Sequence, residues 1–262
     1  MEKPLVSINV CSYNHAKFIR QILDSIKAQT YNNIQLILSD DASSDNSVEV
    51  FEAWLKENNV EATKNFHKTN TGLATILNEG LDLVKGKYLK FISADDYLHP
   101  TAIEKCVNKL EELGNDYGIY YGEIQLVDEN NQEILDREGL QFPPNYVPLN
   151  GNCFTDCIQK FPFWEQTVLF RFDILKETNF RFNKNFFSDD WYLIIHLSRY
   201  AKVAGETTIF AYYRILSTSI TLQNWNEKKL PKIYFSWFDM ILTFLNHPKN
   251  TKEENAVIEI KL

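Results

Sequence analysis

The stretch "IQLILSDDASSDNSVEVFEAWL" (Ile34–Leu55) decides the fold. Ile34 to Leu38 is an apolar run of strand length. It runs into Asp40 and Asp41, followed by small polar residues and a third aspartate. Asp45 or Asn46 can cap a helix that carries Val48, Phe51 and Leu55 on one face. A buried strand, a polar loop and an amphipathic helix, in that order, are half of a strand–helix–strand unit. The crowding of like charge where a buried strand ends is the feature to be explained.

Working outward, the same grammar repeats. Leu5 to Val10 is a short buried strand, "CSYNH" (Cys11–His15) a polar loop, and Ala16 to Gln29 an amphipathic helix with Ile19, Ile22, Leu23 and Ile26 at helical spacing. Residues 60–67 form a weak third strand. Leu73, Ile76, Leu77, Leu81 and Val84 mark a helix that Gly86 can stop. Tyr88 to Ile92 is a fourth strand, and Pro100 can open a helix that reaches Leu113. Strands alternating with helices imply parallel strands joined by right-handed crossovers. In such sheets ligands gather at the carboxyl ends of the strands. "SADD" (Ser93–Asp96) leaves the fourth strand as "SDDASSD" leaves the second, so both acidic clusters fall at that rim.

After Gly114 the pattern changes. "YGIYYGEIQLVDENNQEILD" reads as two strands around the turn Asp128–Asn131. Three prolines mark 138–150 as a loop. Gly151 to Lys160 reads as a short helix and Glu165 to Phe170 as a strand. A helix begins at "SDDWYL" with Asp189 and Asp190 in its first turn. Val203 to Tyr212 is a last strand, 227–248 is helical, and the final dozen residues are expected to fray.

The bulk numbers suit a soluble globular protein: 262 residues, 44% hydrophobic and 24% charged. A net charge of −8 gives no general attraction to nucleic acid or anionic lipid, so no nucleic-acid partner is expected. Cys11, Cys106, Cys153 and Cys157 read as free thiols of a reducing compartment, since no histidine pair lies near the two close cysteines. No signal peptide and no apolar run of membrane-spanning length is visible, which points to a cytoplasmic location.

Three acidic pairs carry the chemistry. Carboxylates at a strand end such as Asp95 and Asp96 suit a hard divalent cation that also binds phosphate. A carboxylate in a crevice, such as Asp40 or Asp41, can accept the N3–H of a uracil ring. An acid at a pocket mouth, such as Asp189 or Asp190, can take a proton from a hydroxyl nucleophile. Each pair alone is better read as helix capping, turn formation or solvation. Their order and spacing together carry the functional reading.

In that order the chain resembles the inverting glycosyltransferases of family 2, over roughly the first 220 residues. "CSYNH" is similar to the family's Thr/Ser-x-Tyr-Asn opening, and "SDDASSDNS" to its DDxSxD nucleotide motif. "NTGLATILNEGLDLVKGKYLKFISADD" is similar to its N-x-G…N-x-G…DxDD block. "SDDWYL" is similar to its Glu-Asp-aromatic motif, and "YYRILSTSIT" to its Tyr-Arg-x-His segment. The resemblance implies the GT-A fold: α/β, a Rossmann-like, mostly parallel central sheet flanked by helices, with a C-terminal helical extension. Residues 1–114 would bind the nucleotide sugar, 115–222 would form the acceptor and catalytic half of the same domain, and 223–262 the extension.

Carried over by position, the resemblance makes Asp190 the catalytic base and Asp95 the holder of Mg²⁺ or Mn²⁺. Asp41 would contact the base, Asp40 would shape its loop, and Tyr13 would lie by base and ribose. Asn70, Asn78, Ser93 and Asp96 fall in the donor-binding block. Asp189 would lie near the acceptor and Trp191 would wall its site. The implied donor is a nucleoside-diphosphate sugar, with UDP preferred. The implied acceptor is a saccharide or lipid-linked saccharide, the latter bringing the protein to the inner membrane face as a peripheral protein.

Three positions depart from the family pattern. Ser93 replaces the first Asp of D-x-D, Leu77 replaces an arginine before Asn78, and Leu216 stands where a metal-binding histidine is usual. No Gln-x-x-Arg-Trp motif of processive polymerases occurs, since "LQNWNE" is only superficially like it, so one sugar per encounter is implied. Two alternatives stand beside this reading. A nucleotidyltransferase would need a glycine-rich phosphate loop where "CSYNHAKF" stands, and a catalytically inactive nucleotide-sugar-binding protein would have no use for Asp190.

Overall fold

The computed structural model describes residues 3–135, 147–217 and 230–262. Most of the proline-rich loop expected over 138–150, the start of the helix expected over 227–248 and "LQNWNE" lie outside the described residues.

Among the described residues nine strands form one sheet in the order β3-β2-β1-β4-β8-β6-β9-β5, with β7 also pairing β9. The amino-terminal half supplies β1 (Val6–Ser12), β2 (Ile34–Asp40), β3 (Thr63–Phe66), β4 (Tyr88–Ser93) and the short β5 (Tyr97–Leu98). The first four are mutually parallel. β6 (Tyr117–Val127) runs parallel to β9 (Lys202–Arg214). β8 (Leu169–Arg171) is antiparallel between β4 and β6, joining the halves into one sheet. β7 is Asn150–Gly151.

The helices cover both faces, as right-handed crossovers require. α1 (Ile19–Lys27), α2 (Ser47–Asn58) and α4 (Ala102–Leu113) share one core with Val6, Ile8 and Val10 of β1. α3 (Leu73–Leu83), α5 (Phe154–Gln159), α6 (Phe172–Glu177), α7 (Asp189–Tyr200), α8 (Leu230–Leu242) and α9 (Lys252–Lys261) share the other. On that second face β1 turns small polar residues toward α3. Asn9 is fully buried, accepts a 2.8 Å hydrogen bond from Ser39 Oγ, and lies where a Cβ on Gly80 would come within 2.0 Å of its amide. Glycine at 80 thus lets α3 approach the strand.

Four expectations need correction. Among the described residues no second strand follows the turn after β6: Val127 bridges Glu133, and Asp128 Oδ1 accepts from Asn130 N and Gln132 N and closes a tight turn. Residues 165–167 are a turn of 3₁₀ helix rather than strand, and β8 is only three residues long. Pro100 lies two residues ahead of α4, whose N-cap is Thr101. The carboxyl end does not fray. Thr251 and Glu254 form a reciprocal capping box, Ile258 is fully buried, and Glu254 pairs with Arg199 at 2.8 Å.

Candidate active site

The strand order 3-2-1-4 reverses direction between β1 and β4, so the loops that follow them diverge and leave a crevice. Register brings the loop ends together there: Ser12 lies beside Asp40, and Cys11 beside Ser93. "CSYNH", "SDDASSDNS" and "SADD" therefore share one rim.

The crowded carboxylates of the second loop each have their own partners. Asp40, fully buried, accepts from Ser43 N at 2.8 Å and Ser43 Oγ at 2.6 Å. Asp45 accepts from Ala16 N at 3.0 Å through one oxygen and from Ser47 N at 3.0 Å through the other, stitching the "CSYNH" loop to the start of α2. Asn14, at φ 61°, completes the seam by accepting from Ser44 N at 2.7 Å. Asp41 reaches the other way. Its Oδ1 accepts from Thr71 N at 2.8 Å and contacts His67 Nδ1 at 2.8 Å, and its Oδ2 accepts from Gly72 N at 2.8 Å. Burial opposes the charge on Asp41, but the Thr71 N–H, His67 and the Gly72 N–H outweigh it and hold the carboxyl below its usual range. Asn70 closes this loop by donating to Asp41 O at 3.1 Å, and Gly72 sits at φ 91°, which explains the N-x-G spacing. Tyr13 stands at the rim, 46% exposed.

At the end of β4 the two acids differ. Ser93 Oγ donates to Asp95 Oδ1, and Asp95 Oδ2 faces His15 Nε2 at 3.8 Å. Asp96 is turned inward. It is 1% exposed, and its Oδ1 accepts from Arg214 N at 2.9 Å. Burial and the adjacent Asp95 push the Asp96 carboxyl well above its ordinary value. Arg214 itself is buried and donates to Asp95 O at 2.8 Å and Asp128 O at 2.7 Å, so it fixes the backbone of the acidic loop. Leu216 is buried two residues on, with no atom able to ligate a metal.

The third acidic pair heads α7. Burial, reinforced by Asp190, pushes the Asp189 carboxyl up to about 7, and its buried Oδ1 has no hydrogen-bond partner among the described residues. Asp190 is also raised by burial, against a 2.7 Å bond from Trp191 N. Trp191 faces the interior. It is 6% exposed, donates from Nε1 to Cys157 O at 2.6 Å, and packs edge-on to Trp237. Its place is that of a core anchor under the acidic turn. Asn78 likewise turns away from the rim, binding the backbone of Phe182.

Glu165 escaped the sequence reading. Its Oε1 is buried without a partner among the described residues. Burial raises its carboxyl, Lys90 opposes the rise, and Asp190 adds to it. The charge of Glu165 also acts on Asp96. Glu165 of the 3₁₀ turn thus feels the charge of Asp190 in α7 and acts on Asp96 beyond β4. The signal was an acid amid aromatics in "FPFWEQTVLF".

Among the described residues, no three His, Cys, Asp or Glu side chains gather to hold a metal. The side chain at this rim that could hold one is the Asp95 carboxylate, with the His15 imidazole 3.8 Å away.

A doubly wound sheet with carboxylates around its switch point places a ligand site in the crevice at its strand ends. The profile described as Glycosyl transferase family 2 matches residues 7–178, and the chain belongs to that family. It is 29% identical over 219 residues to an uncharacterised glycosyltransferase of Haemophilus influenzae, covering 81% of this chain and 66% of that one. It is 38% identical over 147 residues to one of Rickettsia felis, covering 56% of this chain and 23% of the relative. The chain thus spans less than two thirds of the length of these relatives. Its fold is GT-A. It matches S. aureus TarS 1–349 in complex with UDP-GlcNAc at TM-score 0.75 and 16% identity, over 97% of this chain and 70% of that one. It matches the mannosyltransferase PcManGT of Pyrobaculum calidifontis, in complex with GDP-Man and Mn²⁺, at 0.65 and 14%, over 100% and 74%.

Proposed function

We propose that the chain transfers one glycosyl unit from a nucleoside-diphosphate sugar, UDP-linked, to an acceptor hydroxyl with inversion. The observation that carries this is the convergence of two acidic loops and the "CSYNH" loop at one strand switch, with Asp190 at the start of α7 acting on Glu165 and Glu165 on Asp96 of that rim. TarS supports the UDP reading, since it binds UDP-GlcNAc, and PcManGT supports a divalent cation.

In this reading Asp41 accepts from the base, Tyr13 lies along base and ribose, and Asp95 faces the diphosphate. A bound Mg²⁺ or Mn²⁺ would neutralise charge on the diphosphate leaving group. Asp190 takes the proton of the acceptor hydroxyl, which attacks the anomeric carbon on the face opposite the departing diphosphate, so configuration inverts. The raised Asp190 carboxyl is the better base for being raised. Asp189 hydrogen-bonds the acceptor. The acceptor is a saccharide or lipid-linked saccharide. No described helix is long and apolar enough to cross a membrane, so a lipid-linked acceptor would be met at the surface. Calorimetry with UDP, with and without Mn²⁺, beside a turnover screen of UDP-, GDP- and dTDP-sugars, tests the reading. Binding of UDP without turnover of any donor would leave a binding protein, and no nucleotide binding would reject it.

A further inference from the structure

The diphosphate end of the proposed site is short of protein ligands. Asp96 is engaged with the β9 backbone, and Leu216 offers no donor atom. Across the strand switch from Asp95 stands His15. Its ring faces Asp95 Oδ2 through Nε2 at 3.8 Å, beyond hydrogen-bond range, and its Nδ1 is buried without a partner among the described residues. The backbone around the ring is fixed. His15 N donates to Ser47 Oγ at 3.1 Å, Asn14 N to Ser43 Oγ at 2.8 Å, and Ala16 N to Asp45 Oδ2 at 3.0 Å. A ring positioned by its backbone, with Nε2 in no hydrogen bond and turned to a carboxylate at the strand switch, can act with that carboxylate as a ligand pair. Two neighbouring ligands of an octahedral ion stand roughly 3 Å apart, so a closure of about 1 Å would seat both on one cation.

We propose that His15 is the second protein ligand of the divalent cation, doing from the first loop what the residue at position 216 cannot do from just beyond the ninth strand. The inference rests on the reading of this rim as a metal–diphosphate site. A nitrogen donor favours a transition-metal ion such as Mn²⁺ over Mg²⁺.

The test is Mn²⁺ titration into the UDP-saturated protein, wild type and His15→Gln, with UDP affinity measured in parallel in excess chelator. Electron spin-echo spectroscopy of the wild-type ternary complex supplies a readout that does not depend on the variant's folding. The expected result is an imidazole nitrogen coupling to Mn²⁺ in the wild type that is lost in His15→Gln. Mn²⁺ affinity should fall about tenfold or more, with metal-free UDP affinity unchanged. Equal Mn²⁺ affinity in the two proteins, or no nitrogen coupling in the wild type, would overturn the proposal while leaving the metal reading intact. A fall in metal-free UDP affinity as large as the fall in Mn²⁺ affinity would overturn it too, placing His15 on the diphosphate itself. No uptake of Mn²⁺ by the wild-type UDP complex would overturn the metal reading and this inference with it.

Discussion

Asn78 holds Phe182 by both of its backbone polar groups: Nδ2 donates to Phe182 O at 2.9 Å, and Phe182 N donates to Oδ1 at 2.8 Å. The pair joins α3, which begins at the Asp41 loop, to the segment that leads into α7 and its acidic turn. One amide therefore ties the framework of the proposed donor half to that of the proposed base. The helical extension braces the same segment from outside, where Phe187 N donates to Ser236 Oγ at 2.6 Å and Trp237 Nε1 to Ser188 Oγ at 2.9 Å.

Asn78→Ala leaves both groups of Phe182 without their partner. The cost should be about 1–3 kcal/mol, read as a lower melting temperature. Turnover should fall more than UDP affinity, because the base moves and the nucleotide loop does not. A melting temperature equal to the wild type's would show that the clamp adds nothing to the fold.

Asp41→Asn tests the base contact. Amide nitrogen cannot accept from both loop N–H groups and the uracil ring. UDP affinity should drop by about 1.5–3 kcal/mol, the worth of a charge-assisted hydrogen bond. Uridine, which lacks the diphosphate, should lose affinity by the same factor. Unchanged uridine binding alongside a lowered melting temperature would make Asp41 a loop scaffold only.

Asp189 links the site to stability. Its carboxyl, pushed up to about 7 by burial and Asp190, keeps a proton in the folded chain that the unfolded chain has released. The folded state thus holds more protons between the ordinary carboxylate range and about pH 7. Stability from this group is full at the acid end and declines as pH rises through that window, by up to roughly 1.4 kcal/mol per pH unit. Asp189→Asn should flatten this decline and raise the melting temperature at pH 8, at the expense of acceptor affinity. An unaltered pH profile of stability in that variant would mean the Asp189 carboxyl is not raised.

The parallel half was legible because each strand and helix there keeps one clean period, as Val6, Ile8 and Val10 do on β1. The acidic loops were legible as a rim, since strand ends are where such sheets place ligands. Their wiring was not. Nothing in "SDDASSD" shows that Asp41 crosses to Thr71 while Asp40 turns back on Ser43, because the Asp41 bond depends on the path of a loop 30 residues away. Trp191 and Asn78 sit in motifs read as substrate contacts, yet both face inward. A motif residue that builds the site and one that touches the ligand look alike in a string. Glu165 was hidden because a buried acid is recognised only by what surrounds it.

Asp190 is the central residue of the proposed transfer. The most direct measurement is nucleotide release from the accepted sugar donor, with acceptor, by wild type, Asp190→Asn and Asp189→Asn, beside UDP affinity for each. Asp190→Asn keeps size and polarity but cannot take a proton. Its turnover should be lower by roughly 10²- to 10⁴-fold, with UDP affinity unchanged, while Asp189→Asn should mainly raise the acceptor KM. Full turnover by Asp190→Asn together with loss of turnover in Asp189→Asn would contradict the assignment and give the base role to Asp189.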